Sequence, residues 1–339
     1  MIKFRGLITS PSRRYVVKGA TVLLAGIASP AVLRVGPALA AFPDRPVKLI
    51  VPNSPGGISD IVARLLAVSL QQEMGGSFAI ENKGGAGGNI GMGGVARSDP
   101  DGYTLLITTS AFAVNPGLYN SLPFDPLQDF VAIAELATSP NVFAVKPDLG
   151  VKTMKELVAL AKANPDKFNV STPPVSTTPY LGAELFKMRE SLPKVATVVF
   201  TGGGDAFKAL LTGTVQLSLG ALGTAHPHIA SGAVAGLATT GASRWHDLPN
   251  MPTMAEAGFN DFVMENYVGL MAPANTPPEI VARLEKETLA ILNKPDVRAK
   301  LVQSGFKVEA KTGKDHRARI AKEVPMYRDI INQAGIKKL

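Results

Sequence analysis

The sequence predicts an α/β protein with a largely parallel sheet. Three observations carry this: strands alternate with helices, glycine-rich loops recur where strands end, and the middle third repeats the architecture without a sequence repeat. Val47 to Val51 is apolar and rich in β-branched residues, a buried strand. Pro52 to Gly57 is a loop, and Ser59 or Asp60 is positioned to cap a helix with apolar positions Ile61, Val62, Leu65, Leu66 and Leu70. Phe78 to Glu81 is a second strand, followed by Gly84-Gly85-Ala86-Gly87-Gly88. Tyr103 to Thr108 is a third.

Asn141 to Val145 reads as a strand leaving the first domain. Thr153 with Glu156 forms a capping box for a helix reaching Ala161. The strand Phe168 to Ser171 ends in the polar loop Thr172 to Pro179. The strand Val195 to Phe200 ends in Thr201-Gly202-Gly203-Gly204-Asp205, followed by a helix to Leu211 and a strand from Val215 to Leu219. Thr276-Pro277-Pro278-Glu279 is a second capping box, for a helix to Leu292. Residues 296–334 read as helical, charged and amphipathic.

The first 40 of the 339 residues have the pattern of an export signal. Lys3, Arg5, Arg13, Arg14 and Lys18 precede the short apolar run Thr21 to Ile27, and Ala38-Leu39-Ala40 predicts cleavage after Ala40. Ser12-Arg13-Arg14-Tyr15 resembles the twin-arginine motif, with Val16 and Val17 departing from it; the twin-arginine route is favoured over the general one. This segment holds six basic residues and no acid. The formal charge of +8 therefore drops to +2 in the remaining chain, which removes the basis for nucleic-acid binding. There is no cysteine, which excludes disulfides, thiol catalysis and thiolate metal sites. No later segment is long and apolar enough to span a bilayer.

The glycine loops form a carboxylate trap. Ligands collect at the carboxyl ends of parallel strands, glycine permits close backbone approach, and each following helix points its amino end at that space. One helix end contributes about 0.3–1 kcal/mol to an anion. Four hydrogen bonds to a charged group add roughly 6–12 kcal/mol gross. Association costs about 4 kcal/mol or more, and micromolar binding needs about 8.2 kcal/mol net. One loop is therefore insufficient, and a second wall must close over the ligand.

Other motifs carry less. Gly91-Met92-Gly93-Gly94-Val95-Ala96 matches a dinucleotide pattern, but no strand directly precedes it and no suitable acid follows. Walker and G-x-S-x-G motifs are absent. His226-Pro227-His228 reads as a surface pair at a helix end with no acid nearby, and Trp245 as packing on a loop. No catalytic residue, metal site or cofactor is assigned.

Residues 41–339 resemble the extracytoplasmic solute receptors of tripartite tricarboxylate transporters, the Bug or TctC-type family. The resemblance rests on Pro43-Asp44-Arg45-Pro46, Pro55-Gly56-Gly57 with Asp60, Glu81-Asn82 and Gly85-Ala86-Gly87-Gly88-Asn89-Ile90-Gly91. It continues through Pro100-Asp101-Gly102-Tyr103-Thr104, Arg244 with Leu248-Pro249, Glu256-Ala257-Gly258 and Ala272-Pro273 with Thr276-Pro277. It implies a type II periplasmic binding protein fold, two α/β domains with a ligand cleft between them. Residues 41–141 and 262–339 would form domain 1, and 142–261 domain 2. It further implies hinge closure over a carboxylate held by backbone amides, hydroxyls and waters. Where the family shows a histidine, this chain has Tyr180; its Pro173-Pro174 loop is stiffer, and a lysine in the following loop is missing.

The expectation is a monomeric periplasmic receptor, not membrane-embedded, that captures a small organic carboxylate and hands it to membrane permease subunits. Ser54, Pro55, Gly56, Gly57, Ser59, Asp60 and Ser110 would hold the ligand from one side. Thr172, Ser176, Thr177, Thr178, Gly202, Gly203 and Asp205 would hold it from the other. Asp205 either repels a second carboxylate or accepts from a ligand amine or hydroxyl. The rival readings are an exported hydrolase or lyase using Asp60 or Asp205 as base, and a sensory receptor for a membrane kinase.

Overall fold

Apolar strands and amphipathic helices alternate from Val47 onward in the computed structural model, which describes residues 42–339. The expected export segment and its cleavage point after Ala40 lie outside the described residues.

The chain opens with β1 (Val47–Val51), α1 (Ile58–Met74), β2 (Phe78–Asn82), α2 (Asn89–Ala96), β3 (Thr104–Thr109) and α3 (Ala111–Leu118). The long strand β4 (Phe130–Val145) follows, then α4 (Met154–Ala163), β5 (Asn169–Thr172), α5 (Thr178–Arg189), β6 (Ala196–Val199) and α6 (Gly203–Leu211). Next come β7 (Leu217–Ala221), α7 (Leu222–Ala230), β8 (Ala235–Thr239) and β9 (Glu265–Pro273). The chain closes with α8 (Pro278–Leu292), α9 (Pro295–Gln303), β10 (Lys307–Thr312) and α10 (Gly313–Gln333).

The strands run in the order β2-β1-β3-β9-β4-β7-β5-β6, with β8 and β10 also paired to β4. The two flanks are parallel, β1 with β2 and β3, and β5 with β6 and β7. The centre is antiparallel, because β9 lies between β3 and β4 and runs against both. The largely parallel sheet expected from the sequence thus holds only at the flanks.

β4 spans both halves. Its residues up to Pro140 pair with β9, and Asn141–Val145 pair with β7 and β8. Proline has no amide to donate, so the change of partner falls where the ladder loses a donor. The short strand expected at Asn141–Val145 is the end of this element. Fifteen of its 16 residues are buried, since helices cover both faces.

Three sequence expectations change. Residues 296–334 are not one helical layer: β10 intervenes, an edge partner for β4 whose alternation of charged residues with Val308 and Ala310 has period two. The Thr276 capping box does not form. The N-cap is Pro277, and the Thr276 hydroxyl donates to the Pro273 carbonyl at 2.8 Å. For α1 the N-cap is Gly57, not Ser59 or Asp60. By contrast, Thr153 caps α4 by accepting from the Glu156 amide, although Glu156 returns its bond to the Lys152 amide rather than to Thr153, so the box is half formed; Trp245 is buried in the core beside α7, as expected.

Candidate functional site

A cleft of about 780 Å³ opens between the two halves of the sheet. One wall carries the loops after β1, β2 and β3, and the other the loops after β5, β6 and β7. Among the described residues, not one Asp, Glu, Lys, Arg or His lines it.

Six helices begin at the cleft, with N-caps Gly57, Gly88, Ser110, Thr177, Gly202 and Ala221. None of these six makes a side-chain capping bond. The two helices that start away from the cleft with a side-chain cap are α4, on Thr153, and α10, on Thr312. The first amides of a helix have no partner within it. Six uncapped ends therefore present backbone donors and partial positive charge to a space with no charged side chain, a setting for an anion.

The loop after β1 is held rigidly from behind. The Asp60 carboxylate accepts from the Gly56 amide at 2.9 Å, from Arg64 at 2.8 and 3.0 Å, and from the Asn82 side chain at 3.0 Å. Burial pushes the Asp60 carboxyl up, but these bonds outweigh it and hold its pKa at about 2. Asn82 also donates to the Asn53 carbonyl, and Asn53 donates to the Ser59 hydroxyl. The Gly56 amide is thus spent inside the loop. The amides of Gly57, Ile58 and Ser59 have no protein partner among the described residues.

A hydrogen-bonded hub lies at the cleft floor, where β4 and β9 cross between the halves. Asn266 donates to the Asn141 side chain at 2.6 Å and accepts from Thr178 at 3.0 Å. Asn141 also donates to the Met264 carbonyl at 2.9 Å. Ser139, opposite Asn266 in the ladder, lines the cleft with its buried hydroxyl unpartnered.

Of the residues expected at the site, Ser54, Pro55, Gly56, Gly57, Ser59 and Ser110 lie together on the first wall. Ser176, Thr177, Gly202 and Gly203 lie on the second. Four lie off the lining. Asp60 stands behind its loop, and Thr178 is in the hub. Thr172 is buried at the end of β5 without a hydroxyl partner. Asp205 is exposed, outside the lining, and accepts from the Thr201 hydroxyl at 2.9 Å. Tyr180 is also absent from the lining. The sequence reading missed Tyr119, Ser139, Thr224, Asn266 and Phe306. The glycine loop before Asn89, one of the loops of the expected carboxylate trap, does line the cleft through Gly84, Gly85, Gly87 and Gly88, none of them among the expected site residues. His226 is not isolated: Asp247 lies 3.9 Å away, although no group of three metal-binding side chains forms among the described residues.

The two walls touch at either side of the cavity. A Cβ on Gly87 would stand 3.2 Å from the Ser176 Cβ and 2.8 Å from the Tyr119 hydroxyl. At the other side, Gly223 of α7 packs against Gly305 so closely that a Cβ on Gly223 would lie 3.0 Å from the Ser304 carbonyl oxygen.

A two-walled cleft lined by uncapped helix ends, between two halves of one sheet, is the arrangement of a ligand-binding protein of the type II periplasmic binding fold. The family model described as "Tripartite tricarboxylate transporter family receptor" matches residues 62–336. The chain is 32% identical over 329 residues to Protein BugT of Bordetella pertussis, covering 96% of this chain and 98% of that protein. The structure of the periplasmic binding protein BugD superposes with a TM-score of 0.78 at 31% identity, covering 88% of this chain and 100% of that one. R. palustris Rpa4515, solved with adipate, gives a TM-score of 0.79 at 31% identity, with the same coverage. The chain belongs to the tripartite tricarboxylate transporter receptor family, whose members are solute-binding proteins and not enzymes.

Proposed function

We propose that this protein is a periplasmic receptor that captures a small organic carboxylate in the cleft and delivers it to the membrane permease of a tripartite tricarboxylate-type transporter. The observation that carries this reading is the convergence of six uncapped helix N-termini on a cleft with no charged side chain. Adipate in Rpa4515 supports the ligand class, and the family match supports the permease partner. No helix among the described residues is long and apolar enough to cross a membrane.

In this reading the export signal is removed after Ala40 and the protein acts as a monomer. Domain 1 comprises residues 41–141 and 262–339, and domain 2 residues 142–261. The change of β4 partners at Pro140 and the start of β9 at Glu265 support that division. Ser54, Gly57, Ser59 and Ser110 act from domain 1; Ser176, Thr177, Gly202 and Gly203 act from domain 2. Asp60 positions its loop.

Thermal unfolding against a panel of mono-, di- and tricarboxylates and aromatic acids tests the reading. A bound acid at 100-fold over its Kd stabilises by about 2.7 kcal/mol, a shift of several degrees. Gly57→Val should abolish the shift. Gly57 has φ −74° and a Cβ there meets only the Ser54 carbonyl at 3.4 Å, so the variant folds while valine fills the space before the α1 amides. Stabilisation by another solute class and by no acid overturns the carboxylate.

A further inference from the structure

Tyr119 follows the last residue of α3 and lines the cleft. Its amide donates to the Asn115 carbonyl at 2.9 Å. The chain on either side of it is tied to Leu339: the Leu339 amide donates to the Leu118 carbonyl at 2.9 Å, and the Asn120 amide donates to the Leu339 carbonyl at 3.0 Å. Asn115 in turn donates to the Gly87 carbonyl at 3.0 Å and to Asn89 at 2.7 Å, which holds the glycine loop beside the ring. The ring is therefore fixed at the junction where Gly87 meets Ser176 of the opposite wall.

The phenol hydroxyl has no hydrogen-bond partner among the described residues, although Tyr119 is half-buried. Burial raises its pKa, so the group keeps its proton through the physiological range. The O–H opens to the cleft without a protein acceptor, and among the described residues no Asp or Glu lines the cleft to take it, so it is free to donate to a bound molecule. The uncapped end of α1 supplies one cradle for a carboxylate on the first wall. The Tyr119 hydroxyl lies beside Gly87, on the loop after β2, and can hold an acceptor at another position of the same ligand.

We propose, resting on the carboxylate reading above, that Tyr119 is a specificity-determining residue. It donates its phenol hydrogen to a second oxygen function of the bound acid and selects acids that carry one. The ligand is then an organic acid with an oxygen acceptor distal to its first carboxylate, such as a second carboxylate or a hydroxyl.

The test is isothermal titration of the protein and of Tyr119→Phe with matched acids that differ by one distal oxygen function: succinate and butyrate, adipate and hexanoate, 4-hydroxybenzoate and benzoate. The wild-type protein should prefer the oxygen-bearing member of at least one pair, and Tyr119→Phe should cut that preference about tenfold or more, the loss expected for a bond to a polar or charged oxygen. The substitution removes one atom without a protein partner, so unchanged thermal unfolding of the free variant is the check on folding. The ultraviolet difference spectrum on adding the preferred acid gives a second readout, and its tyrosine component should vanish in the variant. A preference that survives in Tyr119→Phe, or a wild-type protein indifferent to the distal oxygen, overturns the inference and leaves the carboxylate reading intact. Failure of every acid to bind the wild-type protein overturns both.

Discussion

Asp60 and Gly56 are joined by a 2.9 Å hydrogen bond from the glycine amide to the carboxylate, and this bond sets the shape of the loop that faces the cleft. Gly56 sits at φ +78°, in the left-handed region, with open space around it. The carboxylate therefore holds in place a turn that only glycine adopts readily.

Asp60→Ala should weaken binding of any acid by at least tenfold and lower stability by about 1–3 kcal/mol, the cost of leaving the Gly56 and Asn82 donors unpaired. Titration and urea unfolding check both effects. The pH sign follows from a folded pKa held at about 2, below the ordinary 3.8. The stabilisation is present above about pH 3.8 and is lost as pH falls through 2, and the variant should lack that acid-dependent loss.

A second titrating group lies behind the cleft floor. Glu323 is buried beside Arg319, whose guanidinium also meets Glu135 at 3.2 Å and Glu265 at 3.0 Å; His316 and Lys311 face Glu135. The hydroxyls of Tyr267 and Tyr327 are buried there without partners. Burial pushes the Glu323 carboxyl up to about 8. A raised carboxyl stabilises the fold fully below its unfolded pKa, near 4.5. That stability declines as pH rises through the folded value, by at most roughly 1.4 kcal/mol per unit. Chemical unfolding between pH 6 and pH 9 should show this decline in the wild-type protein relative to Glu323→Gln. Parallel curves for the two would refute it.

On the receptor reading proposed above, the close approach of Gly223 to Gly305 would make closure depend on a missing side chain. Gly223→Val places atoms against the Ser304 carbonyl and should hold the walls apart, lowering acid affinity at least tenfold. Small-angle scattering checks the mechanism: the wild-type radius of gyration should fall on adding saturating acid, and that of the variant should not.

The hub at the strand crossing is an integral polar core. Asn141→Ala strips partners from Thr178, Asn266 and the Met264 carbonyl, all in or beside the buried floor. It should cost about 2–4 kcal/mol, from several unsatisfied groups at once, read as a lower urea midpoint. A change below 1 kcal/mol would show that water replaces the hub at little cost.

Much of the first wall was legible because its signals are local. Pro55-Gly56-Gly57 followed by an amphipathic run names a loop and a helix start without reference to the rest of the chain. The capping of α4 by Thr153 and the burial of Trp245 are equally local. Two expectations failed for different reasons. Thr276 carries capping chemistry, but a competing local acceptor, the Pro273 carbonyl three residues back, takes its hydroxyl. The polar stretch from Lys307 becomes a strand because the edge of β4 is there to receive it.

Local pattern alone yields the strands and helices at the flanks, the glycine loops that precede helices at strand ends, and the concentration of net positive charge, +6 of +8, in the first 40 residues. These follow from periodicity, backbone permissiveness and counting, each readable within a dozen residues. Tertiary packing is what brings Tyr119, Ser139 and Asn266 into one cleft with Gly57 and Gly202, leaves Asp205 outside its lining, and sets Gly223 against Gly305. Those relationships join residues up to 209 positions apart, Gly57 and Asn266, and the β4–β9 pairing that brings them together is set at long range and by no local preference of the chain.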